Sequence, residues 1–127
     1  MNRRTFLTSS IATGLALHFP AVAGAQQNKT YRTALIGCGW WGTNILREAM
    51  ASGRCKLAAL VDVDQRQIAR CAAEAGKWTS DQPRQYEDYR EMLEKDKPDI
   101  AIVATPDHWH ALPTIAAVKA GAHVYVE

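Results

Sequence analysis

Three glycines, Gly37, Gly39 and Gly42, stand in the order G-C-G-W-W-G, and a carboxylate, Asp62, follows 20 residues after the last of them. Glycines at this spacing suit a phosphate ligand. Gly37 permits a tight turn, Gly39 lets the backbone approach a pyrophosphate because it has no Cβ, and Gly42 lets a helix lie close on a strand. A helix opening there offers unpaired N–H groups and a partial positive charge to an anion. Asp62 suits a ribose, whose hydroxyls would donate to the carboxylate. It would also repel a 2′-phosphate, which leans the pattern toward NAD over NADP. Arg66 blurs that lean, because a guanidinium could pair with such a phosphate, and NADP stays open. The competing readings are an ordinary strand-to-helix turn for the glycines and a helix cap for Asp62, although Asp64 is better placed to cap.

The elements around these residues supply the context that a dinucleotide fingerprint requires. Tyr31 to Ile36 is a short, mostly apolar run that reads as a buried parallel strand. After Gly42, Ile45, Leu46, Ala49 and Met50 share one side of a helix. Lys56 to Val61 is a second strand ending at Asp62. Asp64 can cap the next helix, whose apolar face is Ile68, Cys71, Ala72 and Ala75, with Gly76 as its stop. Arg84 to Tyr86 reads as a short third strand. Tyr89, Met92 and Leu93 mark a short helix, and its charged side, Glu87, Asp88, Arg90, Glu91 and Glu94, reads as a solvated face. Pro98-Asp99 ends it before a fourth strand, Ile100 to Ala104. A last helix is expected from about His108 to Ala120, with Leu112, Ile115 and Ala116 inward and Gly121 as stop, followed by a fifth strand, Val124 to Val126. Strands alternating with helical crossovers predict an α/β, Rossmann-type parallel sheet in the order 3-2-1-4-5, flanked by helices.

The fourth strand runs into T-P-D-H-W-H-A, Thr105 to Ala111, at the carboxyl end of a parallel strand, where open α/β sheets take ligands. Asp107 reads as a helix cap before it reads as a catalytic group. His108 reads as a surface residue and Trp109 as packing. His110, two residues into the expected helix, is equally a structural histidine or one turned toward the ligand edge.

Residues 1–25 carry a basic start at Arg3 and Arg4, an uncharged stretch with an apolar middle from Ile11 to Phe19, and small-residue exits at Ala21-Val22-Ala23 and Ala23-Gly24-Ala25. This reads as a secretory signal, and the paired arginines followed by Phe6 and Leu7 resemble a twin-arginine signal, which places the protein in the periplasm or outside the cell. The apolar middle is too short to span a bilayer comfortably, so no stable membrane anchor is expected. Residues 26–30 are a polar linker. Removing the signal takes Arg3 and Arg4 with it, leaving 13 basic against 13 acidic residues from the original 15 and 13. A neutral chain without like-charge runs gives no reason to expect a nucleic-acid partner. The three cysteines, Cys38, Cys55 and Cys71, form no C-x-x-C, and neither a disulfide framework nor a metal site is expected. Whether Cys55 and Cys71 could bridge depends on geometry.

Taken together, the chain resembles the N-terminal half of the glucose–fructose oxidoreductase, inositol dehydrogenase and MocA (Gfo/Idh/MocA) family over Tyr31 to Glu127. Four features carry the likeness: G-C-G-W-W-G, the acid ending the second strand, T-P-D-H-W-H-A, and the closing A-G-A-H-V-Y-V-E. The resemblance implies that Gly37, Gly39, Trp40, Trp41 and Gly42 line the pyrophosphate of NAD and that Asp62 holds the adenosine ribose. It implies that Thr105, Pro106 and His110 border the nicotinamide half and that Glu127 contacts it from the fifth strand. It implies hydride transfer to or from a secondary alcohol of a sugar or polyol. Some exported relatives are glycosidases that oxidise the sugar transiently, which gives an alternative, and a non-catalytic nucleotide-binding module is a third. In the family a lysine follows the glutamate and polarises the reacting hydroxyl, and a C-terminal α/β domain binds substrate and forms the oligomer interface. The sequence ends at Glu127, before both. No catalytic residue is therefore assigned within it, and a truncated, inactive fragment of an oxidoreductase is expected.

Overall fold

A computed structural model describes residues 29–127. The twin-arginine signal expected at residues 1–25, and the linker up to residue 28, lie outside the described residues. Five strands, β1 (Tyr31–Ile36), β2 (Cys55–Val61), β3 (Arg84–Tyr86), β4 (Ile100–Val103) and β5 (His123–Val126), form one parallel sheet in the order 3-2-1-4-5. Four α-helices make the crossovers: α1 (Trp40–Ala51), α2 (Gln65–Ala75), α3 (Tyr89–Asp96) and α4 (Ala111–Lys119). The sheet order is the one the sequence predicts.

Side chains alternate across each strand, so the sheet feeds two cores. Leu35, Leu57, Leu60 and Ile102 pack with Leu46 of α1 and Ile68, Cys71 and Ala75 of α2. Ala34, Ile36, Ala59, Val61, Ala101 and Val103 pack with Met92 and Leu93 of α3 and Ala117 of α4. Leu57 and Leu60 are three residues apart yet share a face. The reason is a register shift, Thr33 pairing with Leu57 and Ala34 with Ala59, which leaves Ala58 bulged and inverts the alternation. Asp64 caps α2 by accepting from the Arg66 N–H at 2.9 Å, as expected. Asp88 caps α3 in the same way, accepting from the Arg90 N–H at 2.8 Å. α3 stops at Lys97, which takes a left-handed conformation with φ 45°, one residue before the proline that the sequence marked.

Asp96, at the end of α3, is the buried charge of the domain. Tyr86 Oη donates to it at 2.6 Å and Arg32 Nη2 at 3.2 Å, with Arg84 3.7 Å away. Burial and the neighbouring carboxylate hold the Tyr86 hydroxyl protonated, its pKa raised above the ordinary value. This knot ties β1, β3 and α3 together.

The last crossover departs from expectation. The chain leaves β4 through a 3₁₀ turn, Asp107–Trp109, and α4 begins only at Ala111. Asp107 makes no capping hydrogen bond, and neither does the residue before α4, His110. Leu112 and Ile115, expected to point inward, are 52% and 51% exposed. Pro113 and Ala117 are buried instead, and Ala116 packs against the core. The helix is apolar on most sides, so its sequence marks no single face, and packing turns Pro113 and Ala117 to the sheet. Among the described residues no helix is long and apolar enough to cross a membrane.

Leu46 is fully buried beneath the glycine turn. Leu46→Ala should lower the unfolding free energy by about 2–5 kcal/mol, read as a shift in the urea midpoint.

Candidate functional site

The site begins with strands that finish level. Gly37 N–H donates to the Val61 carbonyl at 2.8 Å, Ala104 N–H to Ile36 at 2.8 Å and Glu127 N–H to Val103 at 3.0 Å, so the ladder continues one residue past each strand. Gly37, Asp62, Ala104 and Glu127 therefore stand in a row along the carboxyl edge. A cleft of about 1000 Å³ opens over that row. Nine of the ten residues singled out from sequence line it: Gly37, Gly39, Trp40, Trp41, Gly42, Asp62, Thr105, Pro106 and Glu127. His110 is not among its walls. Its Nε2–H instead donates to the Thr105 carbonyl, which holds the strand-end loop to the start of α4.

The three glycines prove to be there for different reasons. Gly37 has φ +99°, and a Cβ on it would lie 2.5 Å from the Ala104 carbonyl oxygen. A Cβ on Gly42 would lie 2.1 Å from the Gly37 carbonyl oxygen and 3.1 Å from the Ala104 Cβ. These two are demanded by the fold itself, since helix, turn and strand touch there. Gly39 is different: its φ is −65° and a Cβ would meet nothing within 4 Å. The space over Gly39 is open to the cleft. α1 starts directly after it, and the first helical bond runs from Thr43 N–H to the Gly39 carbonyl at 3.0 Å. The N–H groups of Trp40, Trp41 and Gly42 precede that bond, which is the usual stock of unpaired donors at a helix start. They face a cleft that an anion can enter.

Asp62 is held by two backbone donors. Its Oδ2 accepts from the Cys38 N–H at 2.8 Å and its Oδ1 from the Asp64 N–H at 2.9 Å. The carboxylate thus staples the glycine turn to the end of β2, while each oxygen keeps a lone pair for a further donor. Arg66 lies close by but is committed: its Nε and Nη2 donate to the two oxygens of Asp64, both at 3.0 Å. That contact holds the Asp64 carboxyl below the usual carboxylate range.

Sequence reasoning missed part of the wall. Glu87, Asp88 and Arg90, taken as a solvated face, line the cleft beside Asp62 and Asp64, together with Tyr89. Gln65 donates across to Glu87, tying the loops after β2 and β3 together. Arg90 pairs with Asp88 at 3.2 Å. The end of the cleft around Asp62 is therefore acidic, with both arginines already paired. Asp107, read as a cap, and Trp109, read as packing, also line the cleft, and Trp109 is 54% exposed. The available signal was position: each of these residues follows the carboxyl end of a strand. At the far end, Thr105 Oγ1 is buried with no hydrogen-bond partner among the described residues. Tyr125 donates its hydroxyl to Glu127. A partnerless buried hydroxyl, open space over Gly39 and unpaired helix N–H groups fit a dinucleotide laid along the row.

The glycine geometry gives a split outcome. Gly37→Ala and Gly42→Ala should each cost more than about 2 kcal/mol of stability, the upper part of the overpacking range. Gly39→Ala should stay within about 1 kcal/mol, as for a helix cap, yet weaken NAD binding at least about tenfold, the equivalent of about 1.4 kcal/mol. Thermal unfolding and calorimetric titration of the three variants check this.

Residues 31–127 match the family model described as an oxidoreductase family with an NAD-binding Rossmann fold. A glycosyl hydrolase family 109 protein of Stenotrophomonas maltophilia (strain K279a) is 32% identical over 133 residues, covering all of this chain and 29% of the relative. The GenD2 protein from gentamicin A biosynthesis, solved in complex with NAD, aligns over 77% of this chain and 26% of its own length, with 26% identity and a TM-score of 0.67. The WlbA dehydrogenase from Bordetella pertussis, solved in complex with NADH and UDP-GlcNAcA, aligns over 77% of this chain and 29% of its own, with 25% identity and a TM-score of 0.66. The chain thus spans less than a third of each of these proteins. On the family match, the sheet order and the glycine turn, the chain belongs to the Gfo/Idh/MocA oxidoreductase family and comprises its NAD-binding Rossmann domain.

Proposed function

We propose that this domain serves an exported oxidoreductase that moves hydride to or from a secondary alcohol of a sugar or polyol. The observation that carries the reading is the single cleft in which the glycine turn, Asp62, Thr105, Pro106 and Glu127 converge. In this reading the N–H groups of Trp40, Trp41 and Gly42 bind the pyrophosphate. Asp62 accepts from the adenosine ribose hydroxyls with its remaining lone pairs. Thr105, with its partnerless hydroxyl, Pro106 and Glu127 border the nicotinamide half, and His110 supports that wall through the Thr105 carbonyl. The nicotinamide, when bound, supplies the hydride acceptor and donor, while the protein orients it. The sugar preference is drawn from the WlbA complex, which contains UDP-GlcNAcA.

A second reading has a specific observation behind it. The Stenotrophomonas maltophilia relative is a glycosyl hydrolase family 109 protein, which favours a glycosidase that uses bound NAD for transient oxidation. Both readings use the same domain, and both require substrate-binding groups from sequence outside it. A protein that joins this domain to a substrate-binding domain should be assayed on free sugars with NAD and on aryl glycosides. Net NADH formation from a free sugar supports the dehydrogenase, and aglycone release without net NADH supports the glycosidase.

The acidic surroundings of Asp62 set the cofactor preference. A 2′-phosphate would meet Asp62, Asp64, Glu87 and Asp88, with Arg66 and Arg90 already paired. NAD(H) should bind at least about tenfold more tightly than NADP(H), since two like charges about 4 Å apart repel by about 1–4 kcal/mol in these surroundings. Calorimetric titration of both checks it, and equal affinities would remove the carboxylate argument. For export, replacing Arg3 and Arg4 with lysine should abolish transport of a fused reporter in a bacterial host. Undiminished transport would assign the signal to ordinary secretion.

A further inference from the structure

Beneath the glycine turn, on the side of the sheet opposite to α3 and α4, lies a second cavity of about 420 Å³ between α1 and α2. Cys38, from the middle of the glycine turn, and Cys71, from α2, both line it. Both belong to the same buried cluster and carry free thiols, each at most 2% exposed. The Cys38 thiol donates to the Val61 carbonyl at 3.5 Å, and the Cys71 sulfur is near enough to shift its ionisation. The bridge left open from sequence, Cys55 with Cys71, has no such support: Cys55 is half-buried at the start of β2 and outside this cluster. Arg47, Arg70 and Glu74 also line the cavity; Arg47 lies 3.9 Å from Glu48, and Glu74 is paired with Lys77 at 2.6 Å, which offsets its charge.

We infer that Cys38 and Cys71 are an oxidisable pair, closed to a disulfide by exchange with a small anionic disulfide that enters this cavity, and that the bridge locks the glycine turn onto α2. The order of events follows from the two environments. Contact with the Cys38 thiol lowers the Cys71 pKa to about 7, while the same contact and burial push that of Cys38 up. Cys71, as thiolate, attacks one sulfur of the small disulfide and releases one small thiol, which takes up the proton that Cys71 gave up. Cys38 then loses its proton and attacks the Cys71 sulfur, which expels the second small thiol. Two protein thiols are oxidised, one small disulfide is reduced to two thiols, and no proton is gained or lost overall. The guanidinium groups of Arg47 and Arg70 favour a disulfide bearing carboxylates. Cys38 is not a wall of the dinucleotide cleft, so the bridge forms on the far side of the turn from the cofactor.

Oxidised glutathione is the probe. The purified chain should lose two hydrogen masses in intact-mass spectrometry, and digestion should give a Cys38–Cys71 cross-linked peptide with Cys55 still open to alkylation. The thermal midpoint should rise by about 5 °C or more, as for a bridge that closes a loop of this length. Exchange should accelerate as pH rises through about 7. Cys38→Ala should stop at a glutathione adduct on Cys71, and Cys71→Ser should give neither bridge nor adduct at Cys38. Wild-type protein that keeps Cys38 and Cys71 alkylatable after prolonged exposure, or that is modified at Cys55 alone, would overturn the inference. Cystamine, a cationic disulfide, should react more slowly than oxidised glutathione, and equal rates would overturn the role given to Arg47 and Arg70.

Discussion

Gly42 of α1, Gly37 of the turn and Ala104 beyond β4 meet in backbone-close packing. There is no room there for one more carbon: a Cβ on Gly42 would come 2.1 Å from the Gly37 carbonyl oxygen. This contact fixes how near α1 lies to the sheet, and hence where its first N–H groups point. It also fixes the relative heights of β1 and β4, since the Ala104 N–H continues the ladder to Ile36. An anion site made from backbone donors can be no more accurate than the packing that aims them.

Asp62 extends the same constraint sideways. By accepting from the Cys38 and Asp64 N–H groups it joins the glycine turn to the end of β2 and orients its own carboxylate over the cleft. A side chain that holds the turn in place and keeps a lone pair on each oxygen ties the aim of the backbone donors to its own. Its neighbours add a field of one sign, because Asp64, Glu87 and Asp88 come to the same end while Arg66 and Arg90 are spent on ion pairs.

The turn has two sides with different chemistry. Above it lies the open cleft, lined by backbone donors and exposed indoles; Trp40 and Trp41 are 77% and 47% exposed, with ring centroids 5.5 Å apart. Below it lie two buried thiols and a smaller cavity whose walls include Arg47, Arg70 and Glu74. Cys38 belongs to both sides, its N–H committed to Asp62 and its sulfur to the core. A change below the turn can therefore reach the cofactor side through one residue.

The amino-acid sequence by itself determined the architecture. The apolar runs of β1, β2 and β4, the face formed by Ile68, Cys71 and Ala75, and the spacing from the glycines to Asp62 are local patterns, and local patterns survive without knowledge of distant contacts. Tertiary structure decided what depends on convergence. That Gly37 and Gly42 are demanded by packing, while Gly39 opens onto the cleft, follows from Ala104, 62 residues beyond Gly42. That Glu87, Asp88 and Arg90 line the cleft follows from β3 ending beside β2, as a charged helix face looks the same in sequence whether it meets water or a ligand. The inward face of α4 could not be read because the helix is apolar on most sides, and packing alone chose the side that meets the sheet. Cys71 was one apolar position among several until folding set it near Cys38, 33 residues earlier, because pairing between a turn and a helix is a matter of distance in space.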